Sequence, residues 1–202
     1  TDEAPYEVLY TKELSFDDLQ RLKGVEEMVE TFYNSGKAKT TVKFAVEKCG
    51  RPFVFFEKLS LWWAENGYDE ISHSKMDLYG RLFDFFRECG DFKDYIGYIK
   101  ELLRYDIYLG DNMKNIPESL IREMSEEEKA YEREFYENEE NVKKYIPSLA
   151  SYTPKQMLRM CRIEFFDINP QTEAEEKTAV LFNYYGRDVL LNKADASVIF
   201  RG

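Results

Sequence analysis

The chain has 202 residues, enough for one large domain or two small ones with a sizeable buried core. Hydrophobic residues make up 44% and aromatics 16%, with 15 Phe and 15 Tyr, a load that excludes a disordered chain. The net charge of −11 argues against nucleic acid as a partner, because that binding rests on Lys and Arg neutralising phosphates, and it disfavours an anionic membrane surface.

No apolar run approaches the ~20 residues that span a bilayer, and the start, Thr1-Asp2-Glu3-Ala4-Pro5, lacks the basic flank and apolar stretch of a signal peptide. The absence of an initial Met reads as an excised or processed piece, and the expected setting is cytoplasmic. Cys49, Cys89 and Cys161 are odd in number and widely spaced, which argues against a disulfide framework.

In chain order, residues 6–10 form a short predicted strand by their β-branched and aromatic content. Ser15 is a candidate N-cap, and Leu19, Leu22, Val25, Met28, Val29 and Phe32 recur at helical spacing, so an amphipathic helix is expected over 16–33. A second helix spans 38–48 and stops at Gly50. Pro52 suits the first position of a third, with Phe53, Phe56, Leu59 and Trp63 following until Gly67. Ser74 caps a fourth that buries Leu78, Leu82, Phe85 and Phe86, and Asp91 is expected to cap a fifth that ends near Gly110. Cys49-Gly50 and Cys89-Gly90 each close a helix, yet the two segments share too little else to make a repeat.

The stretch 111–151 is polar and broken by Pro117 and Pro147; within it Ser125 and Glu128 open a charged helix over 125–138, expected to be lightly packed. Residues 159–168 alternate, with Cys161, Ile163 and Phe165 on one side and Arg162 and Glu164 on the other, which predicts a strand with one wet face. Residues 179–185 form a strand apolar on both sides, and 189–191 and 197–200 supply two more. The fold class is therefore α+β, mainly α: an antiparallel helical bundle with a small C-terminal antiparallel β-sheet.

Motifs for chemistry are lacking. There is no Cys-x-x-Cys pair, His-Glu-x-x-His, Gly-rich phosphate loop or Gly-x-Ser-x-Gly elbow, and one histidine cannot build a His-rich metal site. His73 stands in Ser72-His73-Ser74-Lys75, where Asp69 or Glu70 would be its orienting acid; a place in a helix-capping turn is the simpler role. Trp62-Trp63 with Phe53, Phe55 and Phe56 line either a ligand groove or, by their helical spacing, a core. Adjacent tryptophans cannot both face one core. Glu126, Glu127, Glu128, Glu137, Glu139 and Glu140 lack the alternating oxygen spacing of a calcium loop and fit a solvated helix face.

Leu14-Ser15-Phe16-Asp17-Asp18-Leu19, Arg21-Leu22-Lys23-Gly24-Val25-Glu26-Glu27-Met28-Val29-Glu30 and Phe32-Tyr33-Asn34-Ser35-Gly36 carry a resemblance. The stretch resembles the end of the radical SAM core in cobalamin-binding-domain radical SAM proteins, bacterial proteins often labelled Fe–S oxidoreductases. Shorter matches continue through Phe55-Phe56-Glu57-Lys58-Leu59, Asn66-Gly67-Tyr68, His73-Ser74 and Leu102-Leu103-Arg104-Tyr105-Asp106. They end with Ile163-Glu164-Phe165-Phe166-Asp167 and Leu181-Phe182-Asn183-Tyr184-Tyr185, so that nearly the whole chain looks like the C-terminal domain of unknown function in that family.

The resemblance makes 1–36 the last strand and helix of the core, and the residue pattern makes 37–150 a helical accessory region and 151–202 a small β region packed on the helices. It implies a [4Fe–4S] cluster, S-adenosylmethionine and cobalamin in the parent, and none of them here, since this chain has no Cys-x-x-x-Cys-x-x-Cys. No residue takes a catalytic, cofactor-binding or metal role by resemblance. The expected function is an accessory domain whose partner is the radical SAM core of the same polypeptide. The alternatives are a stand-alone helical interaction module and a cofactor-free enzyme using His73. A helix cut from its core must also bury its apolar face elsewhere, which predicts an exposed patch near residues 6–33 or a homodimer through it.

Overall fold

The computed structural model describes residues 15–187 and 193–201. The strands expected at 6–10 and 189–191 lie outside them. The chain divides into two compact units, one ending at His73 and one beginning at Ser74, and each is built on its own terms. Within the first unit the first helix is pinned to the third.

The first unit holds α1 (Phe16–Met28), α2 (Lys39–Cys49) and α3 (Pro52–Glu65). Ser15 and Asp18 form a reciprocal capping box that satisfies two of the amide donors a helix start leaves free. The last turns of α1 widen into a π-helix over Val29–Asn34. Gly50 adopts φ 73°, the left-handed turn that ends α2 and that a side chain would strain. Arg21 pairs with Glu57, Gly24 lies against Ser60, and Phe32 meets Trp63 edge-on at 5.6 Å. The partners advance together along both helices, so α1 and α3 run parallel, with α2 returning the chain between them.

The apolar face of α1 is divided. Val25, Met28 and, just beyond, Phe32 are buried, whereas Phe16 and Leu22 are 51% and 41% exposed. On α3, Phe55, Phe56, Leu59 and Trp63 are buried while Phe53 and Leu61 are exposed.

The second unit begins with α4 (Lys75–Glu88), capped by Ser74 as the sequence suggested, and the structure adds Asp77 to make a reciprocal box. Asp91 caps nothing. Residues Gly90–Tyr95 wind as a 3₁₀ turn, and α5 (Ile96–Gly110) starts after Tyr95 without a side-chain cap. Next come α6 (Glu126–Glu137), α7 (Glu139–Tyr145) and α8 (Pro154–Met160), then β1 (Cys161–Phe166), β2 (Thr178–Asn183) and β3 (Asp195–Arg201). The three strands form an antiparallel sheet in sequence order, with Cys161 opposite Asn183 and Phe166 opposite Thr178. An irregularity at Ala179/Val180 interrupts the pairing with β3. The chain is thus α+β and mainly α, with a small antiparallel sheet.

The sheet is covered on both faces. Cys161, Ile163 and Phe165 join Ala179 and Leu181 in a core with Phe135 and Tyr136 of α6, Val142 of α7 and Met157 of α8. On the opposite face Phe182 meets Tyr105 and Tyr108 of α5 at 5.6 and 6.0 Å. Helix α5 is consequently buried all round from Glu101 to Tyr108.

Three expectations change. The strand starts at Cys161, because Thr153 and Gln156 cap a helix through Met160. The face bearing Arg162 and Glu164 is not wet, Glu164 being 4% exposed. Helix α6 is not lightly packed, since Phe135 and Tyr136 enter the core and Tyr131 packs against it. Among the described residues no helix is long and apolar enough to cross a membrane.

Candidate functional site

The charged face of β1 lies against α5, and burying it requires that each charge find a partner. Arg104 of α5, 1% exposed, donates through Nη1 to Glu101 at 3.0–3.1 Å and to the Phe165 carbonyl at 3.1 Å, and through Nη2 to Glu164 at 2.8 Å. Its guanidinium also sits 5.0 Å from the Phe166 ring centroid. Arg162 completes the chain of charges: Nε donates to Glu164 at 2.5 Å, Nη1 to the Met113 carbonyl at 3.1 Å and Nη2 to the Tyr108 hydroxyl at 3.4 Å.

These side chains also finish the free edge of the sheet. β1 pairs with β2 through its even-numbered residues, so the odd-numbered ones turn their backbone groups outward. The Ile163 N–H donates to Glu132 of α6, Arg104 donates to the Phe165 carbonyl, and the Asp167 N–H donates to Glu101 at 3.2 Å. A sheet edge left bare invites pairing with another chain, and here charged side chains occupy it.

Beside the N-terminal half of that edge lies a cavity of about 630 Å³, lined by Asn112, Lys114, Met124, Glu132, Leu158, Arg159 and residues Cys161 to Glu164. It is within the size range of small-molecule sites. Burial pushes the Glu132 carboxyl above its ordinary value, an effect that Glu164 reinforces and Arg162 opposes. Burial likewise pushes the Cys161 thiol up to about 12, so the thiol is neutral and unreactive at physiological pH. The Tyr108 hydroxyl is raised to about 12, by burial first and then by Glu164. For Arg162, burial works against the charged form, and Glu164 and Tyr108 outweigh it. The pocket therefore offers charge and hydrogen bonding but no activated nucleophile.

The residues singled out in the sequence are elsewhere. His73 donates from Nε2 to the Tyr68 carbonyl at 2.6 Å and lies edge-on to Trp63, with ring centroids 5.2 Å apart. Its Nδ1 is buried without a hydrogen-bond partner, and Asp69 and Glu70 are exposed, so the structure brings no orienting acid to it. Trp63 is buried and Trp62 half-buried, the division expected of adjacent tryptophans. In the acidic segment Glu128 pairs with Arg122, Glu126 with Lys129 and Glu139 with Lys143. Among the described residues no group of three or more His, Cys, Asp or Glu is placed to hold a metal ion.

Sequence reasoning missed the Arg104–Glu164 cluster, although one signal was present. Glu101 and Arg104 stand three apart on an otherwise apolar helix, where a charge pair signals a buried polar contact.

The family model described as "Protein of unknown function (DUF4080)" matches residues 1–182. No curated protein and no solved structure matches the chain.

Proposed function

The chain belongs to the DUF4080 family, and we propose that it serves as a non-catalytic accessory domain on the C-terminal side of a radical SAM, cobalamin-binding-type core of the same polypeptide. The observation that carries the non-catalytic part is the commitment of the charged groups: Arg104, Glu101, Glu164 and Arg162 are spent on one another and on the edge of β1. The Cys161 thiol beside them is neutral.

The attachment rests on the resemblance of residues 14–36 and on α1 itself. Phe16 and Leu22 remain exposed on that helix, with Phe53 exposed at the start of the parallel α3. A core placed ahead of α1 would cover these side chains at ~25 cal/mol per Å² of apolar surface. Such a domain would shape access to a substrate bound on the core, in a cytoplasmic protein whose [4Fe–4S] cluster, S-adenosylmethionine and cobalamin belong to that core.

The test is the full reading frame and its product. A Cys-x-x-x-Cys-x-x-Cys upstream of Thr1, with about four irons per chain after anaerobic purification, is expected. Cleavage of S-adenosylmethionine by that protein should fall when Leu22 and Phe53 are both replaced by Glu. A frame without the three cysteines, or a product that holds no iron, overturns the reading.

A further inference from the structure

Glu132 is the anomaly in the second unit. It projects from α6 into the cavity beside β1, is half-buried, and accepts the Ile163 N–H. An ionised carboxylate has about four acceptor positions, and burial without a cation is costly. Glu132 nonetheless makes no ion pair with any described residue. Arg162, whose field reaches it, has already spent Nε, Nη1 and Nη2 on Glu164, Met113 and Tyr108. Glu132 thus faces the cavity without a cation of its own.

The opposite sign stands at the rim. Lys114 and Arg159 line the same cavity, both are exposed, and neither makes an ion pair with a described residue. Met124 and Leu158 put apolar surface between the two ends. Glu132 comes from α6 and Arg159 from the last turn of α8, so the two signs enter the cavity from different elements.

From this juxtaposition we propose that the cavity binds a small zwitterion, with its ammonium on Glu132, its carboxylate on Lys114 and Arg159, and a short apolar spacer on Met124 and Leu158. The apolar lining between the charged groups calls for an amino acid whose two charges are several carbons apart, or a dipeptide, in place of an α-amino acid. The assignment is independent of the accessory reading, because the cavity lies wholly within the second unit. Its failure would leave the iron and reading-frame test untouched.

Titration calorimetry on the 202-residue chain tests it, with 6-aminohexanoate as probe and hexanoate and hexylamine as single-charge controls. Binding of 6-aminohexanoate in the millimolar range or tighter, with each control at least about tenfold weaker, is expected. Glu132→Gln and Arg159→Ala should each weaken it about tenfold. Arg159 is exposed, so its removal leaves the fold intact and keeps the test decisive even if the Glu132 variant misfolds. No binding at about 10 mM overturns the proposal, as does equal binding of hexanoate that is indifferent to Glu132→Gln.

Discussion

Arg104 on α5 and Glu164 on β1 meet at 2.8 Å, both essentially excluded from water although they are 60 residues apart in the chain. Their pairing turns what alternation alone would make a solvent face into the second buried face of the sheet. Removing one member of such a cluster strands the other. Arg104→Met should lower unfolding stability by about 3–5 kcal/mol in a urea titration, because Glu101 and Glu164 stay buried with less compensation. Lys129→Met, which breaks an exposed pair with Glu126, should leave the midpoint unchanged within error. Equal effects would mean that the buried cluster is solvated.

Glu132 gives a pH signature of known sign. Its folded carboxyl is raised above the ordinary 4.5, burial being the first cause, so the folded chain holds the proton more tightly than the unfolded one. The stability this supplies is complete below that ordinary value and is lost as pH rises through the folded one. Glu132→Gln keeps an acceptor for the Ile163 N–H and never ionises. It should therefore melt above the parent at about pH 7, with the difference vanishing at about pH 4. A parent that gains on Glu132→Gln as pH rises would reverse the assignment.

Where the sequence was legible, the controlling interactions are local. Ser74 with Asp77 and Ser125 with Glu128 fix helix starts three residues apart, and Pro52 at the first position of α3 needs no distant partner. The odd-numbered alternation of Cys161, Ile163 and Phe165 identified the core face of β1 for the same reason. Asp91 failed because a capping residue permits a helix without compelling one, and the turn before α5 closes as 3₁₀ around buried Phe92. The candidate site was hidden for a different reason. Whether Arg162 and Glu164 face water or Arg104 depends on where α5 lies, and residues 161–166 carry no record of that.

Cys161 is expected to be the slow thiol. It is 1% exposed and pushed up to about 12, whereas Cys49 and Cys89 are half-buried. With the thiolate as the reacting species, about one part in ten thousand is reactive at pH ~8 before access is counted. Native alkylation with iodoacetamide, followed by mass spectrometry, should label Cys49 and Cys89 first and Cys161 only after unfolding. Early labelling of Cys161 would show that the sheet face opens readily.

The parallel packing of α1 on α3 is tested at Gly24. A Cβ there would run into the Ser60 hydroxyl, while the Ser60 Cβ would be at 3.5 Å, an ordinary contact. Ala in place of a mid-helix Gly normally stabilises by about 0.8–1.0 kcal/mol. Gly24→Ala should show that gain in a Ser60→Ala background, where the obstructing oxygen is gone. With Ser60 intact the hydroxyl must leave its rotamer, which takes back roughly 0.5–1.5 kcal/mol and makes the single substitution neutral or harmful. Chemical denaturation of the four chains gives the coupling directly. A Gly24→Ala effect that is the same in both backgrounds would mean that α1 and α3 do not approach at this position, and the parallel arrangement would fall with it.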